Sequence, residues 1–154
     1  MFVVKYNTKF DNHIDSLRRI ASHSPLNHKH GACLMKSNKI LSMGFNKYIR
    51  QDIINDKLVK FSMHAEIDAL CKLDKVRGMD ILIIRIGNDL KLKNSRPCNS
   101  CINKLSSRGI RKVFYSNENG NIVCEYIDDM EKTHWSSGER VRCKLLKQNY
   151  NKKV

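Results

Sequence analysis

Residues 80–87, DILIIRIG, narrow the folds open to this chain more than any other segment. The run is almost continuously apolar and rich in isoleucine. A strand with one wet face would alternate apolar and polar residues, whereas an unbroken run suits a strand covered on both faces. Stretches of helical character flank it, HAEIDALCKL at 64–73 and PCNSCINKLSSRG at 97–109. Pro97 suits the first helical position and Gly109 the C-terminal stop. A second strand candidate, IRKVFYS at 110–116, follows directly. Strands joined through a helix are expected to run parallel, so those near residues 82 and 113 should lie side by side across a crossover.

The other elements read less evenly. FDNHIDSLRRIASHS, from residue 10, places Phe10, Ile14, Leu17 and Ile20 or Ala21 at helical spacing. GACLMKSNKILSMGFN, from residue 31, suggests a hairpin turning at Ser37–Asn38, although Ala32, Leu34 and Ile40 do not alternate cleanly. Residues 47–61 read as a long loop or irregular segment. IVCEYID at 122–128 is a last strand, and NENGN before it is too short for a crossover, so the final two strands should be antiparallel. The order is helix, two strands, helix, strand, helix, strand, strand. It predicts an α/β domain with a mixed five-stranded sheet. The expected organisation is a domain over residues 1–130 and a basic C-terminal extension over residues 131–154.

Composition sets the outer limits. The hydrophobic share of 41% and charged share of 29% are ordinary for a soluble globular domain. MFVVKYNTKF is interrupted by Lys5 and lacks the apolar core of a leader, and no run is long enough to span a bilayer. A soluble, cytoplasmic protein without a membrane partner is the expectation. The net charge of +14 invites a polyanion such as nucleic acid, but a chain rich in Lys, Asn and Ile throughout can also reflect coding bias. The tail GERVRCKLLKQNYNKKV, from residue 138, concentrates that charge. Without a leader, the six cysteines read as thiols or metal ligands rather than disulfides.

Two short motifs carry chemistry. His64 and Glu66 open the first flanking helix, and Cys98 and Cys101 open the second. Zinc takes four ligands, and catalytic sites supply three from protein. His64, Cys98 and Cys101 would make three, with both ligand groups at helix N-termini that favour thiolate. Glu66, two residues beyond a ligand, need not bind metal and is placed for proton transfer. Each part has a plainer reading: a capping histidine, a glutamate favourable to the helix dipole, core thiols or a redox pair. Together, on successive helices joined by one strand, they suggest one site. Cys33, Cys71, Cys124 and Cys143 lack ligand spacing, and the histidines of HSPLNHKHG read as loop residues with His30 near the rim.

HAE followed by PCNSC resembles the cytidine/deoxycytidylate deaminase superfamily, whose signature is H-x-E…P-C-x-x-C. The similarity runs from about Gly31 to Asp128. It implies a three-layer α/β/α sandwich and one Zn2+ per chain held by His64, Cys98 and Cys101. Glu66 becomes the proton shuttle of a hydrolytic deamination at C4 of cytosine or C6 of adenine. Asn46, ending the second strand, becomes a contact to the sugar or base, and the Ala65 N–H a donor to the base carbonyl. A homo-oligomer is implied as well. The antiparallel final pair resembles the nucleoside enzymes, while PCNSC and GIRKVFYS look more like the nucleotide enzymes. Tyr48 stands where the nucleoside enzymes usually carry a carboxylate. Arg50 and Arg96 are candidates for a substrate phosphate or plain surface charges. Trp135 is a candidate for base stacking or for covering the core edge, and Ser136–Gly138 for a turn. The expected function is deamination of a cytosine nucleoside or nucleotide. The alternatives are a base within RNA or single-stranded DNA, and a catalytically idle, zinc-stabilised binding module.

Overall fold

A computed structural model describes residues 1–4, 8–141, 143 and 144. The elements in chain order are β1 (Phe2–Val3), α1 (Thr8–Ala21), β2 (Lys29–Lys36), β3 (Lys39–Phe45), β4 (Lys47–Ile54) and β5 (Lys57–Met63). They continue with α2 (Ala65–Leu70), β6 (Asp80–Ile86), β7 (Leu92–Lys93), α3 (Asn99–Ser107), β8 (Lys112–Ser116), β9 (Ile122–Tyr126) and a short 3-10 turn, Ile127–Asp129. Residues 137–141 are helical. No helix among the described residues is long and apolar enough to cross a membrane.

The main sheet has seven strands rather than five, in the order β1-β9-β8-β6-β2-β3 with β7 beside β6. Its additions are the two-residue strands β1 and β7, too short to leave a pattern in the sequence. The central expectations hold. β6 runs parallel to β8, with Leu82 opposite Phe114, and β8 runs antiparallel to β9. Ile81 and Ile83 pack towards α2 and α3, while Leu82, Ile84 and Ile86 pack towards α1. This burial on both faces is why DILIIRIG carries no alternation. The β2–β3 hairpin turns at Ser37–Asn38, both at positive φ (50° and 60°), as a two-residue hairpin turn requires. A register shift at Leu34/Met35 accounts for its uneven alternation.

Residues 47–61 are not a loop. They form most of a second, two-stranded sheet, β4–β5, turning at Asn55–Asp56 with φ of 51° and 59°. Neither strand has a fully buried residue, so no buried face imposed a period of two.

Two features press α2 against the sheet. Gly44 in β3 lets the helix backbone approach closely: a Cβ there would lie 2.7 Å from the Ala65 carbonyl oxygen and clash with the Ala69 nitrogen. Gly44→Ala is therefore expected to force α2 off β3 and lower stability by about 1–3 kcal/mol, read as a fall in Tm together with loss of zinc affinity. Asp68 supplies the second tie. Its buried carboxylate accepts from the Phe45 N–H (3.1 Å) and pairs with Lys47 (2.8 Å) and Lys72 (3.3 Å). Burial pushes this carboxyl up, but the bonds to Lys47, Phe45 and Lys72 outweigh it and hold the group below the ordinary carboxylate range. The stability this adds is present above about pH 4 and is lost as pH falls through the lower folded-state value. Asp68→Asn should cost about 1–3 kcal/mol at neutral pH and flatten the acid limb of a Tm-versus-pH curve.

Candidate active site

α2 and α3 begin at neighbouring points, and each begins on a candidate ligand. His64 is the N-cap of α2 (φ −74°, ψ 153°) and Cys98 the N-cap of α3 (φ −72°, ψ 166°). Neither side chain makes the hydrogen bond an N-cap residue ordinarily gives its helix. They turn towards each other instead. His64 Nδ1 lies 3.6 Å from Cys98 Sγ and 3.2 Å from Cys101 Sγ, and the three ligand atoms all fall within 4.8 Å of one another. Ligands about 2.0–2.3 Å from a tetrahedral zinc stand roughly 3.6 Å apart, so this nitrogen and sulfur set fits the ion. Pro97 precedes the cap rather than occupying the first helical position, which leaves Cys98 at the turn into the helix. At the other end Gly109 (φ 77°) closes α3, with its N–H on Ser106 and that of Ile110 on Leu105, a Schellman stop.

The electrostatics of the cluster suit a divalent cation. The neighbouring Cys101 thiol and then His64 hold the Cys98 thiol down at about 4. The same bond to Cys98, together with burial, pushes Cys101 far up, because two adjacent thiols resist ionising together. His64 is raised to about 9, chiefly by its hydrogen bond to Cys98. A doubly charged ion is what allows both sulfurs to be thiolates beside a neutral imidazole. Glu66 completes the group. It is buried, its carboxylate takes a hydrogen bond from Cys101, and burial pushes its carboxyl up. Ala65, wholly buried, is the first residue of α2, so its N–H has no partner within the helix.

A cavity of about 950 Å³ opens beside His64 and Cys101. Its walls are the inner end of the hairpin (Phe61, Met63), α3 (Asn103, Lys104) and residues 136–141. Glu66, Ala65 and Asn46 do not line it. Asn46 is buried, and its amide holds the start of β2: Oδ1 accepts from the His30 N–H (2.8 Å) and Nδ2 donates to the His28 carbonyl (2.6 Å).

The segment from Thr133 to Val141 supplies a cavity wall that the sequence did not announce. The motif between the two cysteines fastens it. Asn99 N–H donates to the His134 carbonyl (2.8 Å), and Asn99 Oδ1 accepts from the His134 N–H (3.1 Å). Arg96 donates to the Thr133 hydroxyl (3.2 Å). Ser136 and Glu139 form a capping box, which Ser100 joins through its hydroxyl. The expected turn at Ser136–Gly138 is thus a helix start, and S-x-x-E at 136–139 was its legible signal.

Other expectations change. Arg96 is neither a surface charge nor free for a phosphate: its side chain is 15% exposed and pairs with Glu125 (3.6 Å), which also accepts from Tyr115 (2.5 Å). Arg50 pairs with Asp52 (3.3 Å) and lies over the Phe61 ring (4.5 Å). Trp135 is half exposed. All six cysteines are free.

The sequence profile of the cytidine and deoxycytidylate deaminase zinc-binding region matches residues 10–117. The chain belongs to this deaminase family, and His64, Cys98 and Cys101 are positioned to bind one metal ion. No curated protein matches the sequence. Among solved structures, a dCMP deaminase from the cyanophage S-TIM5, in complex with dCMP and dUMP, is 20% identical with a TM-score of 0.54, over 74% of this chain and 85% of its own. Cytidine deaminase from Burkholderia pseudomallei is 18% identical with a TM-score of 0.56, over 79% and 95%. At such identities the likeness establishes the fold.

Proposed function

We propose that the protein is a zinc-dependent hydrolytic deaminase acting on the cytosine base of a nucleoside or nucleotide. The observation that carries the reading is Glu66, a carboxylate buried against Cys101 beside a set of three metal ligands. A structural zinc would ordinarily have a fourth protein ligand, and among the described residues no further His, Cys, Asp or Glu joins the set. When bound, zinc supplies the Lewis acidity that makes water a nucleophile near neutral pH.

The roles of the chain's own residues follow. Glu66 takes a proton from the attacking water and passes it to the ring nitrogen; a second transfer lets the amino group leave as ammonia. Cytosine and water become uracil and ammonia, with no redox change. The raised carboxyl suits Glu66 to exchanging protons in both directions. The Ala65 N–H, at the positive end of α2, is the donor for the base carbonyl. Asn46 keeps one amide N–H and one lone pair beyond those used on His28 and His30, and these serve the substrate. Exposed Ile49, Ile53 and Leu58 on the hairpin support a homo-oligomer.

A base within single-stranded nucleic acid is the second reading, favoured by half-exposed Trp135 next to the cavity wall. Uracil formation from cytidine, deoxycytidine, their monophosphates and cytosine-containing oligonucleotides, each at several salt concentrations, separates the two. The first reading expects a monomeric substrate to be converted fastest. Oligonucleotide turnover that exceeds it and falls steeply with salt would favour the second.

A further inference from the structure

Resting on the three metal ligands and not on the deaminase reading, we infer that Asn99 is a positioning residue that latches residues 133–141 to the metal-binding turn, so that this wall of the cavity is fully seated only when the metal is bound. Ser136, Gly138, Glu139 and Val141 line the cavity beside His64 and Cys101. A wall in that place shapes the approach to the metal, yet no residue from 133 to 141 is buried. Burial of apolar surface is what holds most segments to a fold, so this one is seated by polar contacts instead. Segments held in that way open at low free-energy cost.

Among the described residues, every hydrogen bond from this wall to the rest of the chain ends on the stretch from Arg96 to Ser100. Arg96 holds the Thr133 hydroxyl (3.2 Å), and Ser100 holds the Glu139 carboxylate. Asn99 does the most. Its backbone N–H donates to the His134 carbonyl (2.8 Å), and its side-chain Oδ1 accepts from the His134 N–H (3.1 Å). One residue thus satisfies both main-chain groups of His134. The Asn99 N–H is the first of α3, a donor that a helix leaves without an internal partner. Arg96 is fixed independently by Glu125 (3.6 Å), whereas Asn99 depends on the turn that carries it.

That turn is the metal's own. Asn99 stands between Cys98 and Cys101, which form the ligand set with His64. Drawing both sulfurs and the imidazole onto one ion fixes the turn, and with it the directions of the Asn99 N–H and Oδ1. Without the ion the turn can relax, and the pairing with His134 loses its alignment. Such coupling is reciprocal: whatever the ion adds to seating the wall, the seated wall adds to holding the ion. The wall also carries its own optical reporter, since half-exposed Trp135 is the only tryptophan in the chain.

The test is amide hydrogen exchange, read by mass spectrometry on the full-length chain with and without saturating zinc. In the unsubstituted protein zinc is expected to slow exchange across residues 133–141 by about 10-fold. Asn99→Ala should still take up zinc, but exchange at 133–141 should no longer respond to it. Its zinc affinity, measured against a chelator, should fall by the same factor of about 10, because the coupling works in both directions. Asn99→Asp keeps the acceptor for the His134 N–H and should restore the zinc response. Trp135 emission should change on zinc loading in the unsubstituted protein and in Asn99→Asp, but not in Asn99→Ala. Exchange at 133–141 that zinc leaves unchanged in the unsubstituted protein would overturn the inference, and this comparison decides even if Asn99→Ala fails to fold. So would a zinc response that survives in Asn99→Ala, or exchange in that variant that rises equally in β6 and β8, which would make Asn99 a support of the whole fold. Ammonia release enters none of these readouts, so a failure of the deaminase reading is seen separately.

Discussion

Replacing Glu66 with alanine is expected to leave one zinc per chain and the fold intact while lowering turnover by about 10²–10⁴-fold. The expectation follows from where the carboxylate sits. Glu66 is in the first turn of α2, two residues beyond His64, and its side chain reaches Cys101 rather than joining the ligand set. Its removal takes away a proton carrier and leaves the three ligand atoms in place. Truncating a buried glutamate also opens space, so a modest fall in Tm is expected. Glutamine at the same position fills that space but cannot exchange a proton, and it should be as inactive as alanine. Zinc content by elemental analysis, alongside ammonia release, reads both halves of the prediction. Loss of zinc in either variant would make Glu66 part of the metal's support and not a proton carrier.

Replacing His64 with alanine has a different signature: zinc and turnover disappear together. With one of three ligands gone, zinc should drop from one per chain to near zero on dialysis against a mild chelator. Stability reports the same loss. A ligand that binds only the folded chain stabilises it by about 4 kcal/mol at 1,000 times its Kd, which for a chain of this size is a Tm shift of about 8–16 °C. Zinc should therefore raise the Tm of the native protein by such an amount and leave that of His64→Ala unchanged. Cys101→Ser should behave alike, because its sulfur lies 3.2 Å from His64 Nδ1 and accompanies Cys98 in the set. A zinc-dependent Tm shift surviving in His64→Ala would place the metal elsewhere.

The parts of the fold that were legible are those whose burial dictates composition. DILIIRIG had to be covered on both faces, and Ile81 and Ile83 indeed face α2 and α3 while Leu82 and Ile84 face α1. HAE and PCNSC could be joined because each motif lies at the start of a helix flanking that strand. The hairpin at 47–63 escaped notice for the opposite reason. Its residues are mostly exposed, so the only local signal was the Asn55–Asp56 turn between apolar neighbours. β1 and β7 are defined by the strands they meet and not by their own two residues. Arg96 looked like a surface charge because Glu125, its partner, is distant in sequence and adjacent only once β9 folds beside β8. The wall formed by residues 136–141 depends on contacts from Asn99 and Ser100 to a segment more than thirty residues away.

The central claim, that this site removes an amino group by hydrolysis, is tested most directly by ammonia release from zinc-loaded protein. Cytidine, deoxycytidine, their monophosphates, adenosine and short cytosine-containing oligonucleotides make up the panel, with Glu66→Ala as control. The predicted result is ammonia from a cytosine monomer, matched by an equal amount of the uracil product and absent in the control. One zinc bound per chain with no ammonia from any member of the panel would contradict it, and would leave a zinc-stabilised binding fold in its place.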